Sequence, residues 1–515
     1  MAALSRRHVL QGALGVAVAG GLTGCSRGSS GSSTSLVSPG SRLVAATERA
    51  RLAPGRSVMT AQLAARPTMI DLGGRTVATW AYGDQVPGPL LRATAGDLLR
   101  IGLDNELEVD TSVHWHGVAL RNDMDGVPGL TQDPIRPGAS FTYEFTAPDA
   151  GTYFFHPHTG VQLDRGLYGV LVIDAPDEPG RYDSEWVVVL DDWVDGTGRS
   201  PDDVLASLQQ NTGSRPSSDG MSGMDGMSGM DGMSGMDGMS GMNGMGESMQ
   251  STLLGGAGDV DYPLYLVNGR SPAAPVVLEG RPGHRVRVRI VNAGSDTAFR
   301  VAVGGHRMTV THSDGFPVVP VLTDALLVGM GERFDVTLDL ADGVFPLVAS
   351  AEGKRGQGLA LIRTGSGRPP AASVRVPELR RRVTLGSDLA PDESVRLAPR
   401  GPDRTHDVVL GGSMAPYRWT VNGKSFPDAS PLQVHQGERV RLRFANQTMM
   451  FHPMHVHGHT FGLVQGGARK DTVIVRPMRR VEVDLDADNP GQWATHCHNI
   501  YHAETGMMTT VSYRA

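Results

Sequence analysis

Gly96-Asp97-Leu98-Leu99-Arg100-Ile101, Gly283-His284-Arg285-Val286-Arg287-Val288 and Gly437-Glu438-Arg439-Val440-Arg441-Leu442 are three copies of one phrase, a turn followed by a strand that alternates apolar and polar residues. Nine residues after the Gly of each copy stands an Asn: Asn105, Asn292 and Asn446. Asn268-Gly269 and Asn422-Gly423 each place their Gly fourteen residues before the Gly of the second and third copies. A fixed offset that recurs across long intervals is the signature of an internal repeat. The alternation predicts strands with one buried and one wet face, as in an antiparallel sandwich. No helical period competes, and the 515 residues, with 67 Gly and 33 Pro, suit about three domains of short strands and tight turns.

The segments between and around the repeats carry their own signals. Arg6-Arg7 precedes a short apolar stretch ending in Leu22-Thr23-Gly24-Cys25, too short to span a membrane. Residues 1–24 therefore look like a twin-arginine, lipoprotein-type export signal, with Cys25 as the lipidated residue. Residues 25–55 are expected to form a flexible tether. The chain should then work at the outer face of the cytoplasmic membrane as a lipoprotein, or in a periplasmic or extracellular space, with the lipid as its membrane contact. Domain boundaries are expected at 56–178, 179–375 and 376–515, near clusters of Pro and polar residues. The middle domain holds an insert, 205–256, in which Met221, Met224, Met227, Met230, Met233, Met236, Met239, Met242 and Met245 recur every third position, followed by Met249. That period fits neither strand nor helix, and its Gly and Ser cannot build a core. A net charge of −7 without a basic block excludes nucleic acid as a partner, and a monomer is expected.

Chemistry gathers in four short groups. His114 and His116; His156 and His158; His452, His455 and His457; and His496, His498 and His502 together hold ten of the seventeen histidines. Each His-x-His pair aims two imidazoles off one face of a strand, whereas Cys497 between His496 and His498 points to the opposite face. One tripeptide can thus touch two metal centres. Eight paired imidazoles suffice for three ions, and His452 and His502 remain to join Cys497 and the nearby Met507. Two His, one Cys and a weak axial Met are the donors of a blue electron-transfer copper. Structural zinc, by contrast, takes a closed set of four ligands, often several of them Cys.

In this order the four groups resemble the copper signatures of the multicopper oxidases, the laccase and copper-efflux oxidase family, and most resemble its actinobacterial copper-resistance members. The resemblance implies three cupredoxin-like Greek-key β-sandwich or barrel domains and four copper ions. It places a type 1 copper on His452, Cys497, His502 and Met507, and a type 2 copper on His114 and His455. One type 3 copper would take His116, His156 and His498, the other His158, His457 and His496. Asp125, in Asp125-Gly126-Val127-Pro128, matches a carboxylate that supplies protons beside the cluster. The Met-rich insert lies in the second domain, whereas the enterobacterial efflux oxidases carry theirs in the third.

The implied reaction couples one-electron oxidation of a donor to reduction of O2 to water. A thioether axial ligand favours easily oxidised donors: Cu(I), Fe(II), Mn(II) or phenols. Thioethers prefer Cu(I), so the Met-rich insert points to a cuprous oxidase that detoxifies copper. A general laccase-like phenol oxidase is the alternative reading, and a copper-sequestering protein without turnover is the alternative of another class.

Overall fold

The computed structural model describes residues 35–52, 54–176, 178, 181–210 and 251–515; residues 1–24, expected to be an export signal, Cys25 and the run from Met221 to Met249 lie outside the described residues. The described chain is all-β apart from short helices, three of them α-helical, Arg42–Arg51, Pro201–Gln210 and Ile500–Glu504. Among the described residues no helix is long and apolar enough to cross a membrane.

The three repeats occupy equivalent places. Strands Leu98–Asn105, Arg285–Asn292 and Arg439–Asn446 each lie inside a sheet, between a parallel and an antiparallel neighbour. The parallel neighbours are Val58–Asp71, Ser184–Trp193 and Arg404–Met414. The antiparallel ones are Ser140–Thr146, Arg333–Asp339 and Arg480–Asp486. A purely antiparallel sheet was the expectation; the parallel pairing arises because the chain passes through a second sheet between the two strands, as a crossover requires. Each third of the chain has such a second sheet, and both contribute to a continuous apolar core that includes Ile101, Leu103, Phe155 and Leu171. Val383–Thr384 pairs with Ala325–Leu326, so the chain still feeds the second sheet of the middle third after residue 375.

The repeated Asn explains why the repeat exists. The Asn446 carboxamide donates to the Met450 and Val475 carbonyls and accepts from the Thr448 N–H; Asn292 does the same with Thr297, Val328 and Gly294, and Asn105 with Val109, Ile135 and Leu107. Each side chain thereby satisfies the backbone of the loop that leaves its strand, where no ladder partner is available. Asn268 and Asn422 sit at φ 50° and 51°, each followed by a Gly at positive φ, which makes tight turns of a kind that only Asn and Gly adopt readily.

Two expectations are corrected. Arg287 and Arg289, read as a wet face, are buried because they meet Asp335 and, for Arg289, Thr152 of the first third. Residues 36–52, placed within a flexible tether, are packed. The Val37 N–H donates to the Tyr513 carbonyl (2.8 Å), the helix Arg42–Arg51 follows, and its buried Glu48 accepts from the Thr146 N–H (2.7 Å). Val37 and Val44 are buried in the core, with Leu43 packed against it, and anchor this arm.

Candidate metal centre

Two strand pairs present the histidines. His114–His116 runs antiparallel to Gly151–His156 with His114 opposite His156. His452–Val456 runs antiparallel to Gln492–Cys497 with His455 opposite His496 and Met454 opposite Cys497. Residues directly opposite share a face, so strand alternation sorts the ligands. His452 and Met454 lie on the face of Cys497, and His455 and His457 on that of His496 and His498.

On the first face, Cys497 Sγ lies 3.6 Å from both His452 Nδ1 and His502 Nδ1, which are 3.1 Å apart. All three residues and Met507 are buried. The helix Ile500–Glu504, capped by the Asn499 side chain, delivers His502. Met507 is held beside them through its backbone, bonded to His502 and Cys497. His502 Nε2–H donates to Asp259 Oδ2 (2.8 Å), and His452 Nε2 meets Thr448 Oγ1 (2.8 Å). The outer partner on His502 leaves its Nδ1 lone pair for the centre. Trp419 covers His502 at a centroid distance of 4.1 Å. Burial pushes the Cys497 thiol above its ordinary range, so a thiolate here requires a cation to pair with it.

On the second face the rings of all eight paired histidines converge. His158, His457 and His496 bring one nitrogen each to a common point, with His496 Nε2 3.0 Å from His457 Nε2 and 3.4 Å from His158 Nε2. His498 lies against His116 and His156, at centroid distances of 4.8 and 5.3 Å. His114 and His455 are 5.8 Å apart and border both groups. The outward nitrogens are tied down: His114, His156, His455 and His496 bond through Nδ1 to the carbonyls of Asp125, Pro157, Asp471 and Cys497, all at 2.9 Å. A carbonyl can only accept, so each of these nitrogens carries the proton and each Nε2 keeps its lone pair. The inward His114 Nε2, His116 Nδ1, His156 Nε2, His455 Nε2 and both nitrogens of His498 are buried without a protein hydrogen-bond partner. Orphaned lone pairs aimed at one space are what a metal cluster would satisfy. Burial also holds His116, His156, His158, His457, His496 and His498 well below the ordinary imidazole range, in the neutral form that binds metal. The soft thiolate set and the nitrogen-rich cluster both suit copper.

Asp125 bonds His457 Nδ1 through Oδ2 (2.9 Å) and is fully buried at the cluster. Its neighbour must be glycine: Gly126 has φ +81°, and a Cβ there would fall 1.8 Å from the Val113 carbonyl oxygen. His459, which follows the ligand run by one step, bonds Tyr513 Oη and the His457 carbonyl and has no nitrogen to offer. Sequence reasoning missed Asp259, Thr448, Trp419 and Asp471. Isolated residues with no spacing pattern carry no such signal. Asp471 stands 3.2 Å from His116 Nε2, with its carbonyl on His455.

Multicopper oxidase family models match residues 64–178, 185–367 and 399–515. The chain is 47% identical to the multicopper oxidase MmcO of Mycobacterium tuberculosis, across 99% of this chain and 97% of that protein. It is 31% identical to a copper resistance protein A homolog of Pseudomonas syringae pv. tomato, across 86% and 90%. Among solved structures, Fet3p, a multicopper oxidase that functions in iron import, superposes with a TM-score of 0.73 at 21% identity over 89% of this chain and 90% of its own, which speaks for the shared fold. With these matches over a site of buried thiolate and imidazoles, the chain belongs to the multicopper oxidases, copper-dependent oxidoreductases of cupredoxin-like fold that use O2 and a reducing substrate.

Proposed function

We propose that the chain oxidises Cu(I) to Cu(II) at the expense of O2 and serves in copper detoxification outside the cytoplasm. In this reading His452, Cys497, His502 and Met507 hold the type 1 ion, His114 and His455 the type 2 ion, and the two imidazole triads the type 3 pair. Bound there, four copper ions would collect electrons singly and deliver them together to O2, giving water. Cys497 spans the two stations: its side chain faces His452 and His502 while its own peptide bonds lead to His496 and His498. The buried Asp125 carboxylate stands between two of the cluster rings, with Oδ1 3.2 Å from His114 Nδ1 and Oδ2 2.9 Å from His457 Nδ1.

The observation that carries the choice of donor is where the insert is rooted. Helix Pro201–Gln210, which leads into it, packs against Tyr417–Val421, the strand of Trp419. On the return side, Leu254 packs with Phe451, Gly256 lies against Met449 and Met450, and Asp259 bonds His502. Both described ends of the Met-rich insert thus stand at the Cys497 station, beside Met449, whose thioether side chain belongs to a residue 73% exposed. Ten thioethers tethered there supply soft donors for Cu(I), and the Asp259 carboxylate attracts the cation. The copper-resistance relative and the export signal with Cys25 agree with a protein that meets copper at the outer face of the cytoplasmic membrane.

Deleting residues 221–249 tests this. Turnover of Cu(I) should fall at least tenfold more than turnover of a substituted phenol. Equal losses would remove the case for Cu(I) and favour a general laccase-like oxidase. No O2 consumption by fully copper-loaded chain with any reductant would favour sequestration.

A further inference from the structure

The middle third of the chain carries none of the four His-x-His pairs, yet one of its turns forms a wall of the histidine cluster. Gly331 has φ +81°, and a Cβ on it would lie 2.9 Å from both His116 Cε1 and His498 Cδ2. Two residues on, the fully buried Arg333 grips Asp471 with both ends of its guanidinium, Nη1 to Oδ1 at 2.7 Å and Nη2 to Oδ2 at 2.6 Å. Arg333 is itself held by the Thr152 and Gly331 carbonyls, at 3.1 Å each. Asp471 Oδ1 in turn lies 3.2 Å from His116 Nε2 and 3.4 Å from His455 Nδ1, and accepts from Thr472 Oγ1 at 2.9 Å. The glycine after His116 is needed for the same contact, because a Cβ on Gly117 would fall 2.4 Å from Arg333 Nη2 and 2.6 Å from Asp471 Oδ2.

We propose that Arg333 is a positioning residue for the copper cluster. By clamping the Asp471 carboxylate it keeps the His116 proton on Nε2, while it steadies the residue whose carbonyl holds the His455 proton on Nδ1, so that His116 Nδ1 and His455 Nε2 face the metal. A planar guanidinium making two parallel bonds fixes the carboxylate in rotation as well as position, which a point charge cannot do. The ligand-free third of the chain is therefore part of the metal site. This inference rests on the placement of copper proposed above.

The test compares Arg333→Met and Arg333→Lys with Lys470→Met in copper-loaded full chain. Lys470 belongs to the same buried joint, paired with Asp314 (3.0 Å) and Glu332 (3.2 Å), but does not bond the Asp471 carboxylate. Copper content, the electron paramagnetic resonance of the ion on His114 and His455, the blue absorption from Cys497 and the melting temperature are read together. Arg333→Met should keep the blue absorption and hold cluster copper about ten- to a hundredfold more weakly against a chelator, the usual range for losing such an outer partner. Arg333→Lys should fall between it and the parent. Lys470→Met should lower the melting temperature and leave the resonance unchanged. An unaltered resonance and full copper in Arg333→Met would overturn the proposal, as would equal copper loss in Lys470→Met. If Arg333→Met does not accumulate as folded protein, Arg333→Lys is read by the same outcomes. Parent chain that binds no copper at these histidines would refute the copper placement, a separate failure.

Discussion

Asn446→Ala is expected to destabilise the chain and bleach its blue centre, while Asn292→Ala destabilises it somewhat less and bleaches it less. The two buried side chains share three bonds in their repeats, each accepting from the backbone N–H two residues on and donating to two carbonyls, and Asn446 adds the Arg476 carbonyl at 3.1 Å and the Thr448 hydroxyl at 2.9 Å. Truncation to Ala strands those groups. At about 1 kcal/mol net for each lost bond, the cost is about 3 kcal/mol for Asn292→Ala and about 4 to 5 kcal/mol for Asn446→Ala. For a chain of this size that lowers the melting temperature by about 3 °C in Asn292→Ala and about 4 to 5 °C in Asn446→Ala. The difference lies in what the loop carries. Asn446 Oδ1 holds both the N–H and the hydroxyl of Thr448, at 2.8 and 2.9 Å, and Thr448 Oγ1 meets His452 Nε2 at 2.8 Å. Loosening that loop frees a ligand ring of the Cys497 site directly, whereas the loop after Asn292 contains no ligand and reaches the site only at one remove, through Ser295 on Ile500 and Asp296 on Asn499 and Asp259. Thermal melting followed by circular dichroism, with visible absorption of the copper-loaded variants, reads both effects. Equal bleaching in both variants, or an Asn446→Ala chain that melts with the parent, would refute the reasoning.

Two further outcomes are expected. Cys497→Ser should fold, lose the blue absorption and stop O2 uptake with every donor; a variant that stays blue would show that the thiolate is not the source of the colour. His312, half-buried beside Asp335, Arg287, Arg289 and Glu178, is drawn down to about 4, chiefly by desolvation. Its folded value lies below its unfolded one of about 6.5, so the stability linked to it is complete above pH 6.5. That stability erodes as the pH falls towards 4 and is gone below it, a loss of up to about 3 kcal/mol. His312→Gln should flatten the unfolding midpoint between pH 6.5 and 4.5 relative to the parent, and parallel profiles would contradict the assignment.

Much of the site was legible because its chemistry is written in short-range patterns. A His-x-His on a strand puts two imidazoles on one face whatever surrounds it, and a Cys between two His must face the other way. Strand alternation alone thus separated the Cys497 station from the cluster, and the structure shows that separation in the registers of His455 with His496 and Met454 with Cys497. The repeated Gly and Asn announced three related β units for a similar reason: each Asn bonds within its own loop, so the demand is local. The wet face assigned to Arg287 and Arg289 failed because burial there comes from a neighbouring unit, which local alternation does not register. The tether failed over residues 36–52 because its few large apolar side chains, Leu36, Val37, Leu43, Val44 and Leu52, leave no sustained periodic trace.

By itself the sequence determined the β architecture, its threefold repetition and the division of imidazoles and thiolate between two faces, since backbone geometry alone enforces these. Tertiary structure alone decided which distant residues complete the centres: Asp259 on His502, Asp471 on His116 and His455, and Arg333 on Asp471. These contacts join residues separated by more than a hundred positions or by a change of strand. Their strength comes from exclusion of water at the junctions, a condition that exists only once the three units have closed on one another.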